Sequence, residues 1–234
     1  MTIADLAAHF PALDSQTPVL IAGPTACGKS RLALQIAKTF GGVVINADAI
    51  QVYGALQILT ARPSMEDERQ VQHLLYGHIT FDHAYSVGQW LREVTALLHG
   101  GERPIIIGGT GLYFQALTQG LAEIPQISPQ IIARSEQVLA NAGHTALITE
   151  LDAATAARID LHNPMRVQRA WQVLHSTGRG LADWQDATPP PMLRVADSIP
   201  IVFNVARDWL NQRIATRFES MIAEGALDEM RALL

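Results

Sequence analysis

Gly23-Pro24-Thr25-Ala26-Cys27-Gly28-Lys29-Ser30 fits the pattern G-x-x-x-x-G-K-[ST] without a gap. An apolar run, Val19-Leu20-Ile21-Ala22, leads into it and reads as a buried parallel strand. Residues 30–40 lead out, with Leu32 and Ile36 at helical spacing. Strand, glycine-rich turn and helix start are what phosphate binding needs. Backbone N–H groups of the loop and the helix N-terminus aim at an anion, Lys29 neutralises it, and Ser30 can hold Mg²⁺. A chance match in an ordinary βα turn would not place all three elements in register. The chain is therefore read as nucleotide- or diphosphate-binding, a pattern shared with ATP-binding loops.

A length of 234 residues suits one large domain, or a core with a small insertion. With 48% apolar and 6% aromatic residues the composition is that of a soluble α/β enzyme. No apolar stretch approaches the roughly 18 residues of a membrane span. Residues 1–17 lack a basic region followed by an apolar block, so no secretory leader is expected. Cys27 is the single cysteine, which leaves no internal disulfide and no cysteine zinc site. The expected setting is the reducing cytoplasm.

The net charge of −5 argues against indiscriminate nucleic-acid binding. Its distribution is uneven. Lys29 and Lys38 are the sole lysines, and between Arg158 and Arg217 arginines outnumber acids. Arginine suits bidentate phosphate contacts, but a solvated helix surface would look the same. The histidines show no metal-ligand spacing. Trp90, Trp171, Trp184 and Trp209 are expected in the core or in helix packing.

Four apolar runs read as one parallel sheet: 19–22, 43–46, 105–108 and 199–205. Helical patterns at 29–40, 86–99 and 110–119 separate them, giving a P-loop-type α/β fold with helices on both faces. From residue 125 the strand signal fades. Residues 128–142, 146–158 and 164–176 read as helices, with Gly143 and Gly178 as breaks. The expected organisation is a catalytic core of 18–121 and 190–234, interrupted by a helical insertion at 122–189. Helical patterns follow at 208–223 and 226–234, and the abrupt end there is read as truncation of a longer chain.

Most phosphate-loop enzymes carry a second acid at the end of a neighbouring strand. Here the run 104–107 ends in Gly108-Gly109-Thr110-Gly111, with no acid. The acid comes instead after the second strand, in Asn46-Ala47-Asp48-Ala49-Ile50-Gln51-Val52-Tyr53. At the C-terminal end of a strand adjacent to the phosphate-loop strand, Asp48 would overhang the anion and accept a proton from a nucleophile. A turn cap is the alternative use of such an aspartate. These residues admit two reactions: a kinase with Asp48 as base, or an enzyme that treats diphosphate as a leaving group.

The phosphate loop, the 48–53 run, Thr60-Ala61-Arg62-Pro63, Ser86-Val87-Gly88-Gln89-Trp90, the Gly108–Tyr113 run, Asn163–Ala170 and Thr177-Gly178 occur in that order. Together they closely resemble the tRNA dimethylallyltransferases (isopentenyltransferases), from about Val19 to the chain's end. The resemblance implies transfer of a dimethylallyl group from its diphosphate to N6 of adenosine-37, beside the anticodon. The loop then holds the prenyl diphosphate, and Asp48 takes the proton from N6. Lys29, Thr110 and Ser30 with Mg²⁺ stabilise the departing diphosphate. The adenosine would be flipped from its stack.

Asp48, Ala49, Ile50, Gln51 and Thr110 match the family's tRNA-contacting positions, as do Met165, Arg166, Val167, Gln168 and Arg169. The insertion matches the part that grips the anticodon stem, and Arg166 and Arg169 share a helix face. A monomer is implied, with tRNA and dimethylallyl diphosphate as partners and no membrane. Three positions depart from the pattern: Ala49 replaces Ser, Met165 replaces Gln, and Ile132 replaces a basic residue. The family's C-terminal motifs are not present.

Overall fold

The computed structural model describes residues 16–233. The stretch read for a leader falls outside them up to residue 15, as does Leu234 at the end of the last expected helix. Two compact units divide the chain. One contains the residues up to Gln119 together with Pro191 onward, and the other is Gly120–Pro190.

In the first unit β1 (Val19–Ala22), β2 (Val43–Asn46), β3 (His73–Leu74), β4 (Pro104–Gly108) and β5 (Ile199–Val202) form one parallel sheet. The order is β3-β2-β4-β1-β5. The helices α1 (Lys29–Phe40), α2 (Met65–Gln70), α3 (Val87–Leu98) and α4 (Gly111–Gln119) connect these strands.

Strand side chains alternate between two apolar layers. Val19, Ile21, Val44, Ile105 and Ile107 pack with Leu32, Ala33, Ile36 and Ala37 of α1. Leu20, Val43, Ile45 and Ile106 pack with Trp90 and Val94 of α3 and Tyr113 and Leu117 of α4. Burial on both faces is why these strands read as unbroken apolar runs. Each fully buried aliphatic side chain contributes about 1.5–3 kcal/mol.

β2 does not lie beside β1. β4 is inserted between them, correcting the adjacency expected from sequence. The chain passes from β1 through α1 to β2 and β3, then returns through α3 to fill the gap. At the C-terminal ends of β1 and β4 the following helices leave toward opposite faces. This is the topological switch point where open α/β sheets form a ligand crevice.

β3 and α2 carried too short a signal to be read in the sequence. α2 is held by a reciprocal capping box between Ser64 and Asp67. β5 ends at Val202, short of the expected Val205, although the Phe203 N–H still reaches the Ala22 carbonyl at 2.9 Å.

The second unit contains α5 (Pro129–Ile148), α6 (Ala153–Arg158), α7 (Pro164–Thr177) and α8 (Leu181–Asp186) around Leu147, Val167 and Trp171. Gly143 breaks α5 with φ 72° and ψ 174°. The expected helix over 146–158 is in fact two pieces, because Asp152 caps a new start by accepting the Thr155 N–H at 2.7 Å. α8 was not anticipated.

Back in the first unit, Gly225 at φ 102° separates α9 (Arg207–Ala223) from α10 (Ala226–Arg231). Trp209 on α9 is 43% exposed, so it lies outside the core, and the Arg213 guanidinium of the same helix stands over its ring. Among the described residues no helix is long and apolar enough to cross a membrane.

Candidate active site

The phosphate loop joins β1 to α1 through two left-handed residues. Ala26 has φ 59°, and Gly28, the residue capping α1, has φ 101°. Only glycine adopts the second at little cost. A Cβ on Gly23 would lie 2.7 Å from the Phe203 Cβ, so the loop's first glycine is required by a close approach. Ala26 and Cys27 are buried beneath the loop, while Thr25 and Ser30 are exposed. The Lys29 ammonium donates to the Pro24 carbonyl at 2.7 Å. Burial lowers the Lys29 pKa and Arg217 adds to this, outweighing the opposing pull of Cys27 and Asp48.

Asp48 reaches this loop because Asn46 folds the end of β2. The wholly buried Asn46 amide donates to the carbonyls of Asp48 and Leu75, both at 3.0 Å, and its oxygen accepts the Asp48 N–H at 2.9 Å. The Ala47 N–H bonds the Ile107 carbonyl at 2.7 Å, carrying the segment across the end of β4. Sequence reasoning missed Asn46. Its signal was a polar residue closing an otherwise apolar strand.

One Asp48 oxygen accepts the Ile50 N–H at 3.0 Å, the turn-cap role weighed in the sequence. The other lies 3.6 Å from the position a Cβ would occupy on Gly109. The same carboxylate thus caps the turn and lines a hollow beside the phosphate loop.

Thr25, Lys29, Ser30, Asp48, Gln51, Thr60 and the Gly108-Gly109 backbone enclose a hollow of about 80 Å³. Asp48 is the one carboxylate among the described residues lining it. Thr110 stands beside the hollow, where its hydroxyl oxygen accepts the Ala49 N–H at 3.0 Å. It retains an O–H to donate. Ile50 is 61% exposed at the rim of this turn. The Gln51 amide donates to the Thr60 and Ala61 carbonyls at 2.7 and 3.0 Å, so its N–H groups are engaged in holding the wall.

The sequence left open what the arginines do. The structure assigns two of them. Arg213 on α9 donates to the Ala26 carbonyl in the phosphate loop at 2.8 Å. Arg217, one turn on, lines the hollow, and burial together with Arg213 depresses its pKa. Neither residue was singled out in the sequence, since no local pattern links them to residue 26.

A cleft of about 490 Å³ shares Ser30, Ile107 and Arg217 with the hollow as lining residues. Leu34, Val44, Ile58, Ala61 and Met221 give this cleft an apolar floor, and Arg31, Arg62 and Glu224 also line it.

Mg²⁺ takes oxygen ligands, commonly one or two from protein and the rest from phosphate and water. The exposed Ser30 hydroxyl, opening onto the hollow, fits such a partial ligand set. Among the described residues no group of three or more His, Cys, Asp or Glu side chains could hold a metal by itself.

In the second unit the five residues expected to meet RNA fall on α7. Asn163 caps that helix by accepting the Met165 and Arg166 N–H groups at 3.1 and 3.3 Å. Met165, Arg166 and Arg169 are exposed. Val167 is fully buried and Gln168 nearly so, with its amide donating to Ser135 Oγ at 3.0 Å. The side chains of these two pack inward and help hold the helix in place. Trp171 is buried against Glu150, with Arg134 5.4 Å over its ring.

A family model described as IPP transferase matches residues 51–234, and one described as isopentenyl transferase matches residues 17–81. The chain belongs to the IPP transferase family. It is 56% identical over 225 residues to a tRNA dimethylallyltransferase of Cereibacter sphaeroides (strain ATCC 17029 / ATH 2.4.9), covering 96% of this chain and 72% of that protein. It is 55% identical to the tRNA dimethylallyltransferase of Paracoccus denitrificans (strain Pd 1222), covering 95% and 76%.

Among solved structures it is similar to a eukaryotic dimethylallyltransferase acting on tRNA, with TM-score 0.79 and 25% identity, covering 94% of this chain and 56% of that one. It is also similar to the tRNA isopentenylpyrophosphate transferase of Bacillus halodurans, with TM-score 0.60 and 30% identity, covering 94% and 70%. Membership of the IPP transferase family leaves the kinase reading without support.

Proposed function

We propose that this IPP transferase family member modifies tRNA in the cytoplasm, as a single chain. It transfers a dimethylallyl group from dimethylallyl diphosphate to N6 of adenosine-37. The observation that supports this is that Asp48 and Lys29 line one hollow, which shares Ser30, Ile107 and Arg217 with a larger, partly apolar cleft. An anion site with a hydrocarbon-lined neighbour suits a prenyl diphosphate. A carboxylate facing the hollow suits loss of a proton from the attacking amine.

The chemistry balances without a further reactant. N6 attacks the allylic carbon, the carbon–oxygen bond to diphosphate breaks, and the N6 proton passes to Asp48. Negative charge grows on the departing oxygen. Lys29, Arg217 and the loop N–H groups are arranged to meet that charge before it develops. Mg²⁺ held through Ser30 would supply further charge neutralisation to the diphosphate. Thr110 fixes the Asp48–Ala49 turn through its bond to Ala49 N–H, and its free O–H is available to the diphosphate.

An adenosine reaches such a recessed carboxylate only after leaving its stack. The exposed Ile50 and the first two turns of α7, with Met165, Arg166 and Arg169, are the RNA contacts we assign. The helical unit grips the anticodon stem. Incubation with dimethylallyl diphosphate, Mg²⁺ and unmodified tRNA should yield N6-prenyl adenosine by mass spectrometry. ATP hydrolysis without that product would overturn the reading.

A further inference from the structure

α10 carries one carboxylate that behaves unlike its neighbours. Asp228 pairs with Arg231 at the surface. Glu229, the next residue, reaches back to a segment far away in sequence and takes three successive backbone N–H groups. It accepts from Gln57, from Ile58 at 2.9 and 3.1 Å through its two oxygens, and from Leu59 at 3.0 Å.

The segment it grips is a wall shared by the hollow and the cleft. Gln57, Ile58, Ala61 and Arg62 line the cleft, and Thr60 lines the hollow. The far end of the wall is tied to the Asp48 turn. Gln51 donates to the Thr60 and Ala61 carbonyls, and Arg62 donates to the Tyr53 and Gly54 carbonyls at 3.1 and 2.9 Å.

Between these two anchorages Ala61 adopts φ 55°. Such a conformation costs a non-glycine residue about 1–2 kcal/mol and persists where the surroundings hold it. Burial alone would raise the Glu229 pKa. The bonds from Leu59, Ile58 and Gln57 and the charge of Arg62 outweigh it and keep the carboxylate below the usual glutamate range. The clasp is therefore ionised at neutral pH.

We infer that Glu229 is a positioning residue for the donor site, acting through the 57–62 wall although it touches neither hollow nor cleft itself. The inference rests on reading the hollow and cleft together as the prenyl diphosphate site. A simple tether for α10 would lower stability without changing ligand affinity. A positioning role predicts a selective effect on the donor.

The test compares wild type, Glu229→Gln, Glu229→Ala and Glu229→Asp with Asp228→Asn as a control. The readouts are donor KM, kcat, calorimetric affinity for inorganic diphosphate and hydrogen exchange at Ile58, Leu59 and Thr60. Glu229→Gln and Glu229→Ala should raise donor KM at least tenfold with kcat within threefold, weaken diphosphate binding and speed exchange at those amides. Glu229→Asp should recover part of the affinity, and Asp228→Asn should match wild type. Should Glu229→Ala fail to fold, Glu229→Gln, which keeps the side-chain volume, carries the test. Folded variants with wild-type donor KM, diphosphate affinity and exchange would overturn the inference. If wild type gives no prenyl product, the proposed function fails, and diphosphate affinity with exchange still decides the role of Glu229.

Discussion

The carbonyl oxygen of Ala47 lies 2.0 Å from the position a Cβ would occupy on Gly108. No side chain fits there, and the absence of one is what lets the end of β2 cross over β4. Asp48 thereby reaches an anion site built on β1, two strands away. Gly108→Ala should force the Ala47–Asp48 segment outward. We expect a stability loss of about 1–3 kcal/mol from overpacking. The fall in kcat should be larger than that loss implies, with diphosphate affinity changed less. Thermal unfolding alongside steady-state kinetics checks this.

Asp48→Asn keeps the shape of the turn but removes the proton acceptor. A general base contributes typically ~10²–10⁴-fold, so kcat should fall within that range. Diphosphate affinity should hold or rise, because a negative charge facing the anion is gone. Calorimetry with inorganic diphosphate separates the two effects.

Lys29 should give the anion site an alkaline limit. Burial, with Arg217, places its pKa below the ordinary lysine range despite Asp48 and Cys27. Diphosphate affinity is then fully present at pH below that lowered pKa. It is lost as pH rises through it, earlier than for a solvent-exposed lysine. Lys29→Arg should weaken binding, because the guanidinium geometry differs, yet remove the alkaline limb, because the charge persists. Affinity measured across pH for both proteins tests the sign.

Arg217→Ala should raise donor KM, since the residue lines the hollow. Arg213→Ala acts one step removed, by freeing the Ala26 carbonyl and loosening the phosphate loop. Its effect on donor KM should be the smaller of the two, and neither change should alter tRNA affinity. Donor titrations at fixed tRNA, and the reverse, distinguish these outcomes.

Arg166 and Arg169 should behave as phosphate contacts. Replacing both with Ala should weaken tRNA binding uniformly and reduce the slope of log affinity against log salt by about 2. Donor KM should be unchanged. Filter binding at several salt concentrations reads the slope directly.

The sequence by itself determined the phosphate loop, the strand and helix on either side of it, and an aspartate just after the second strand. Those features are written in short-range chemistry: a glycine where φ must be positive, a lysine beside it, and apolar runs buried on both faces. The split of residues 146–158 into two helices was a local matter too, but a single aspartate cap is a weak signal within a helical pattern.

Tertiary structure alone decided which strands neighbour each other, because the insertion of β4 between β2 and β1 depends on crossover paths. It also decided that Arg213 bonds residue 26 and Glu229 bonds residues 57–59, and that Arg217 lines the hollow. Hydrogen bonds across so many intervening residues leave no periodicity or spacing to read. Gln168 shows the same limit from the other side: the apolar spacing of Val167, Ala170, Trp171 and Leu174 marks the inward face of α7, but that the Gln168 amide meets Ser135 of α5 is written in no pattern within α7.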